Sequence, residues 1–446
     1  MYRLSSFHFT TFTTMRKLIF ILTLICTIGA DAQIAIQDVA HQLAKHKYKK
    51  VYRCFDANMQ DKVPASQLKK IWEQMELSAG KLGSVVDVRK NLRDGGSRQS
   101  AMLQFEQAAV KMTLSVNESG DINGLYISQL AYEPPSYGKD LGVGKKYINF
   151  LSHSYNISGE LVVPLECQNC PLVILVHGSG PNDKDETIGP NKVFYDLALG
   201  FASKGVATYR YDKRSYLYPD SFKGQFDIYD ETINDAISAF YHIKSDTSLH
   251  FGKYIMLGHS LGAYAMPIIA DSLQDKLNGA ILFSSNASKL EDLITYQMKY
   301  LTEYDGEITK EEAKIIAENT KQAENIRLNK YTAETTADEL LAYWPGTFWK
   351  GIEGYGPISA LAKNTATQFF IVQGEKDYQI PMSEFELWRA AAGANANVKM
   401  QSYANLTHLF TPTKSGRPSP ADYFSPNNVE FQVIWDMSDW IKLVVH

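Results

Sequence analysis

No block of lysine and arginine interrupts this chain, and its net charge is only −4 over 446 residues. That balance excludes the electrostatic footprint of a nucleic-acid binder. Long apolar runs are also missing. Beyond residue 32 no stretch approaches the roughly 18 unbroken apolar residues of a membrane-spanning helix, so the mature chain is expected to be soluble. Cysteine is scarce, at four. With the first 32 residues set aside, Cys54, Cys167 and Cys170 remain. No His or Cys pair accompanies Cys167-Gln-Asn-Cys170, which argues against a metal site. The motif precedes Pro171 and a strand rather than opening a helix, which argues against redox catalysis. In an exported protein the pair is expected to form a small local disulfide; the alternative is two reduced thiols in a loop.

Residues 1–32 read as a secretory signal. Met15-Arg16-Lys17 is a basic start, Leu18 to Gly29 an apolar run, and Ala30-Asp31-Ala32 a small-x-small cleavage site. Residues 1–14 look like an upstream extension, which makes Met15 a candidate true start. Cys26 lacks the small-residue context of a lipoprotein cysteine, so no lipid anchor is expected. The expected destination is the periplasm or the medium.

The length implies two or three domains. Residues 33–131 read as a small α+β domain. Apolar residues at roughly helical spacing predict a helix over about Ile34 to Met59, and a second from Pro64 or Ser66 to Gly80. The period then shortens at Val85–Val88, Ala101–Phe105, Val110–Val116 and Ile122–Ile127. The turn clusters Asp94-Gly95-Gly96-Ser97 and Asn117–Asp121 fall between these strands. His41 and His46 stand isolated on helices, and no catalytic or metal constellation is visible here. Ala79-Gly80-Lys81-Leu82-Gly83 and the Gly124–Ile127 strand resemble the cystatin- or NTF2-like domain that precedes many exported hydrolases. Self-association, partner binding or plain stabilisation are the open roles.

Ala131 to Lys145, with Pro134-Pro135, reads as a linker. Residues 132–446 then alternate strand and helix, the pattern of an α/β domain with a mostly parallel sheet flanked by helices. Ile148–Phe150 and Ile157–Val163 suggest a leading hairpin. Leu172–Val176 is apolar throughout, as a strand buried on both faces must be. Further strands are expected at Val206–Tyr211, Tyr254–Leu257, Ala280–Ser284, Gln368–Val372 and Val398–Tyr403. The insertion over about 287–363 reads as a helical cap, with helices at Leu290–Leu301, Lys310–Asn329 and Ala337–Tyr343.

Working groups in such sheets collect beyond the C-terminal strand ends. Gly258-His259-Ser260-Leu261-Gly262 follows one of these strands and opens a helix, the setting a nucleophile elbow requires. Asp377 follows the strand ending at Val372, and His408 follows the one ending at Tyr403. The chain order Ser260, Asp377, His408 suits a triad in which His408 moves the proton and Asp377 orients it. Glu375 is the rival acid, and the Gly-x-x-Asp-x-x-Ile-Pro frame favours Asp377. His259 is expected to pack beneath the turn and His177 to be structural. An oxyanion hole would take the Leu261 N–H and a second from Ser179, or from Gly180. Tyr264, Tyr211, Trp344 and Trp349 are candidate substrate contacts. Tyr296, Met298, Tyr300, Tyr343 and Phe348 either line a pocket with them or pack the cap onto the body.

The elbow, His177-Gly-Ser-Gly-Pro-Asn-Asp-Lys-Asp-Glu186 and Tyr209-Arg-Tyr-Asp-Lys-Arg214 together resemble the α/β-hydrolase superfamily. They are most similar to its bacterial carboxylesterases, related in shape to prolyl oligopeptidase catalytic domains. The resemblance covers about residues 132–446 and implies hydrolysis of small acyl esters, with no metal or organic cofactor. A serine peptidase or acyl-aminoacyl hydrolase would use the same triad; in that case the acidic loop after Gly180 is a candidate for recognising a free amino terminus. A non-catalytic binding or scaffold role is the reading from another class.

Overall fold

The structure, a computed structural model, describes residues 34–444 apart from residues 107, 305, 393 and 394. The expected signal segment, with Met15 and Cys26, lies outside the described residues. The described chain divides into two compact units, the first ending at Gln129 and the second beginning at Leu130.

In the first unit, helices α1 (Ile36–Ala44), α2 (Tyr48–Tyr52), α3 (Ala57–Lys62) and α4 (Ala65–Ala79) precede strands β1 (Leu82–Arg93), β2 (Gly96–Phe105), β3 (Ala109–Asn117) and β4 (Ile122–Gln129). The strands form one antiparallel meander in sequence order. Helix α1 buries Ile36, Val39, Ala40 and Leu43, the stripe its spacing dictates. Trp72 packs on Phe105 with ring centroids 5.6 Å apart. The single helix expected over Ile34–Met59 is three short ones. His46 takes a left-handed φ of 56°, and Asp56 caps α3 by accepting from the Met59 N–H at 2.8 Å. Between these breaks the chain lies against β4, where the Ile122 N–H donates to the Cys54 carbonyl at 2.7 Å. Sheet pairing there outweighs helical propensity.

The second unit opens with β5 (Val143–Tyr147), β6 (Phe150–Ser152), β7 (Tyr155–Ile157), β8 (Gly159–Pro164) and β9 (Pro171–Val176). Then come the two-residue pair β10 (Thr187–Ile188) and β11 (Asn191–Lys192), α5 (Val193–Ser203), β12 (Ala207–Tyr211), α6 (Arg214–Leu217) and α7 (Asn234–Ser245). The elbow joins β13 (Lys253–His259) to α8 (Leu261–Leu273), and β14 (Gly279–Phe283) follows. The insertion carries α9 (Leu290–Thr302), α10 (Lys310–Arg327), α11 (Gly346–Gly351) and α12 (Pro357–Lys363). The chain ends with β15 (Gln368–Gly374), α13 (Met382–Ala392), β16 (Val398–Tyr403) and α14 (Phe431–Leu443).

The eight-stranded sheet has the order β16-β15-β14-β13-β9-β12-β8-β5. It is parallel from β16 to β12 and antiparallel at β8 and β5. Leu172 to Val176 are fully buried because helices cover both faces. Helices α5 and α14 pack Phe194, Phe201, Ile434 and Met437 against one face. Helices α7, α8 and α13 bury Phe240, Met266 and Trp388 against the other.

Three expectations need correction. The segment read as a linker belongs to the second unit. The Tyr132 hydroxyl donates to Asp196 at 2.5 Å, Tyr137 stacks on Phe431 at 5.0 Å, and β5 is a sheet edge. The leading hairpin is β5 with β8, and β6–β7 form a smaller hairpin between them. The expected helix at Ala337–Tyr343 is two short 3-10 turns, Ala337–Glu339 and Leu341–Tyr343, separated by the extended Leu340, and Ala342 and Tyr343 adopt left-handed φ values of 60° and 56° in the second. The Thr309 capping box does start α10, with Glu312 accepting from the Thr309 N–H at 2.8 Å. Cys167 and Cys170 are joined as a disulfide, and Cys54 is free. No described helix is long and apolar enough to cross a membrane.

Candidate active site

Ser260 sits between β13 and α8 with φ 54° and ψ −116°, a backbone state costing on the order of 1–3 kcal/mol. Its neighbours hold it there. A Cβ on Gly262 would lie 2.5 Å from the Val176 carbonyl oxygen and 2.6 Å from that of His177. One on Gly258 would lie 2.3 Å from the Gly262 oxygen. Both positions therefore require glycine. The Ser260 N–H donates to the Phe283 carbonyl at 3.1 Å, and its carbonyl accepts from the Tyr264 N–H at 2.9 Å. Its Oγ has no hydrogen-bond partner among the described residues.

The loop after β9 runs beside this turn. A Cβ on Gly178 would come within 3.2 Å of the Ser260 Cβ. The Gly178 N–H donates to Glu186 Oε1 at 2.7 Å, and the Gly180 N–H to Glu231 Oε1 at 3.0 Å. The N–H groups of Ser179 and Leu261 have no acceptor among the described residues. Of the two candidates for the second oxyanion donor, Ser179 is thus unengaged and Gly180 is committed. Buried Lys213 shapes the loop from below, donating to the carbonyls of Gly178 at 2.7 Å and Gly180 at 3.1 Å and to Glu231 at 2.6 Å.

His408 Nδ1 lies 2.6 Å from Asp377 Oδ2. Asp377 Oδ1 accepts from the N–H groups of Gln379 and Ile380 at 2.8 and 2.9 Å, so the carboxylate is fixed before it meets the imidazole. Glu375 is exposed and accepts from Ser402 Oγ at 2.8 Å, turned away from the histidine.

Two further histidines are buried here with opposite charge states. His177 Nε2 lies 3.0 Å from the Asp183 carbonyl, and burial pushes its pKa down to about 4, so it is neutral. His259 Nδ1 lies 2.9 Å from Glu186 Oε2, and its Nε2 lies 3.0 Å from the His408 carbonyl. Both partners only accept, so both ring nitrogens donate and His259 is an imidazolium. Burial alone would lower its pKa; the charge and hydrogen bond of Glu186 more than offset that and raise it. Glu186 therefore ties together the loop at Gly178, the elbow at His259 and, through His259, the backbone of His408.

Sequence reasoning gave no role to Glu186, Lys213 or Glu231. Glu186 and Lys213 stood inside quoted motifs, but nothing in their spacing said that they would meet at the elbow. Glu231 carried no signal at all. The acidic loop after Gly180 is spent internally. Asp183 accepts from Thr187 at 2.9 and 2.8 Å, and Asp185 pairs with Lys192 and the fully buried Arg210. This corrects its expected availability for an amino terminus.

Of the four candidate substrate contacts, Tyr211 is buried edge-on against His177, 5.2 Å between centroids. Trp344 is half-buried and packs on Phe348 at 4.2 Å. Both pack against neighbouring rings. Tyr264 and Trp349 do line a cavity, of about 350 Å³, whose walls do not include Ser260. Among the described residues no group of three or more His, Cys, Asp or Glu could hold a metal.

This sheet, with an elbow serine at the end of β13 and a bonded Asp–His pair beyond β15 and β16, defines an α/β-hydrolase. Residues 169–412 match the family described as serine aminopeptidase, S33. The match spans more than half the chain, and the protein belongs to that family. Residues 37–125 match a family of unknown function, DUF3887. Esterase EstD of Thermotoga maritima is 26% identical over 420 residues, covering 94% of this chain and 97% of that protein. Among solved structures, Est1E of Butyrivibrio proteoclasticus is 16% identical with a TM-score of 0.43, covering 67% of this chain and 99% of its own. An esterase of Pyrococcus furiosus is 12% identical with a TM-score of 0.42, covering 71% of this chain and 97% of its own.

Proposed function

We propose that this protein is an exported serine hydrolase cleaving carboxylic esters through an acyl-enzyme on Ser260. The reading rests on one observation: the Asp377–His408 pair is bonded at 2.6 Å, and the His408 backbone carbonyl lies 3.0 Å from Nε2 of His259, the residue next to a strained elbow serine whose hydroxyl is unengaged. His408 Nε2 takes the Ser260 proton as Oγ attacks the ester carbonyl carbon. The N–H groups of Leu261 and Ser179 stabilise the oxyanion. Collapse of the tetrahedral intermediate breaks the C–O bond, and His408 returns the proton to the leaving alcohol. Water, deprotonated by the same imidazole, then hydrolyses the acyl-enzyme. Asp377 holds the ring and stabilises its charge. Likeness to an esterase over nearly the whole chain supports the ester as substrate.

A peptidase is the second reading, favoured by the family's own description. Export is supported by the basic–apolar–small pattern of residues 15–32 and by the Cys167–Cys170 disulfide. The N-terminal unit is read as accessory, with self-association, partner binding or plain stabilisation as its open roles.

Short- to long-chain p-nitrophenyl esters and aminoacyl p-nitroanilides, assayed together, test the reading. Rapid turnover of short esters, reduced on the order of 10⁶-fold in Ser260→Ala, is expected. Comparable turnover of the anilides would make the protein a peptidase. Undiminished turnover in Ser260→Ala would overturn the nucleophile.

A further inference from the structure

The cavity of about 350 Å³ beneath the insertion falls in the range of about 300–1,000 Å³ typical of ligand pockets. Its walls come from α8, the start of α9, the end of α10, α11 and the segments after α10 and α11. Tyr264, Glu291, Tyr331 and Trp349 line it and are 1, 6, 8 and 1% exposed. The Trp349 indole N–H is buried without a hydrogen-bond partner, and among the described residues the two tyrosine hydroxyls and the Glu291 carboxylate face the cavity without a hydrogen bond or ion pair. A buried N–H left unmet costs about 1–3 kcal/mol, and the two hydroxyls and the carboxylate around the same cavity are free to bond a ligand there.

The chemistry of that ligand follows from what the groups need. Glu291 needs donors, and the indole N–H needs an acceptor. The phenols take either. Burial and then the Glu291 charge raise the pKa of Tyr264. Burial, Glu353 and Glu291 push Tyr331 up to about 12, so both hydroxyls stay protonated at neutral pH. Other charges in the wall are already matched: Arg327 with Asp292 at 2.5 Å and Glu353 with Lys350 at 2.8 Å. Lys289 and Glu291 remain, and their charges cancel. An anion would face Glu291 and a cation Lys289. Hydroxyl groups, which both donate and accept, satisfy all four groups, and aromatic walls suit the C–H face of a saturated ring.

We propose that this cavity binds a neutral polyhydroxylated ring of monosaccharide size, the alcohol part of the ester. Tyr264 lies four residues beyond Ser260 at the start of α8, an axial rise of about 6 Å, so the elbow helix links the ring's site to the nucleophile. The assignment to the alcohol part rests on the ester reading above; binding of the ring does not.

Calorimetric titration of full-length Ser260→Ala protein with methyl xyloside, methyl glucoside and alanine amide tests the proposal without any turnover. Saturable binding of a glycoside is expected, weakened about tenfold or more by adding Glu291→Gln, the loss that goes with one charged hydrogen bond. Tyr331→Phe should weaken it in the same direction and carries the comparison if Glu291→Gln does not fold, as judged by circular dichroism. The proposal is overturned if neither glycoside saturates, if binding ignores both substitutions, or if alanine amide binds in their place. Turnover of p-nitrophenyl acetate by the wild-type protein separately decides the ester reading.

Discussion

At the scale of single residues, the site turns on which of several similar groups is pre-arranged. Asp377 and Glu375 are two positions apart, yet one is fixed by two backbone N–H groups and meets His408, and the other faces Ser402 at the surface. Asp377→Asn should therefore lower kcat by about 10⁴, and Glu375→Gln should leave it nearly unchanged; the reverse pattern in steady-state kinetics would move the acid. The Glu186–His259 pair gives a pH signature. The folded pKa of His259 is raised, so its stabilising contribution is fully present below the unfolded value of about 6.5. It is lost as pH rises through the folded value. Glu186→Gln removes the partner of the imidazolium. Thermal melts should show a large deficit for that variant in mildly acidic buffer, narrowing as pH rises. A deficit that does not change with pH would mean that His259 is neutral in the wild-type protein.

At the scale of elements, the strand–turn–helix of β13 and α8 depends on the absence of side chains. A methyl at position 262 would meet the backbone carbonyls of Val176 and His177 at 2.5 and 2.6 Å, and strand backbone cannot yield as a flexible side chain does. Gly262→Ala is expected to cost roughly 3 kcal/mol and to depress turnover. Gly224→Ala, which meets nothing within 4 Å, should stay within about 0.5 kcal/mol. Chemical denaturation of the two variants measures the contrast, and equal stabilities would show that the elbow can relax. The α9–α12 insertion obeys weaker rules. Its capping box was legible in the sequence, but the left-handed residues Ala342 and Tyr343 were not, because neither residue type favours that conformation.

At the scale of the whole molecule, each unit has its own core: Ile36, Trp72, Leu103 and Leu114 in the first, the two faces of the eight-stranded sheet in the second. A chain beginning at Leu130 should fold and hydrolyse short esters at close to the full-length rate. Retained circular dichroism with lost turnover would give the N-terminal unit a part in the site. Such a chain must begin before Tyr132, because the Tyr132–Asp196 and Tyr137–Phe431 contacts fasten the segment that reads as a linker to the second unit.

Local sequence determined a good deal. Periodicity and glycine placement dictate the parallel strands, the elbow and its strained serine, since these depend on nearest neighbours and on what a Cβ would strike. The order of Ser260, Asp377 and His408 along the chain, each after a strand, already places them at one sheet edge once the strands are parallel. Only the tertiary structure decided the rest. It broke the first helix against β4, committed the Gly180 N–H to Glu231, and turned Glu186 and Lys213 inward beneath the loop after β9. It also left Glu291 without a partner in a cavity. Each of these depends on which polar groups meet after burial, and a buried polar group's partner is set by packing between segments distant in sequence, which no local pattern encodes.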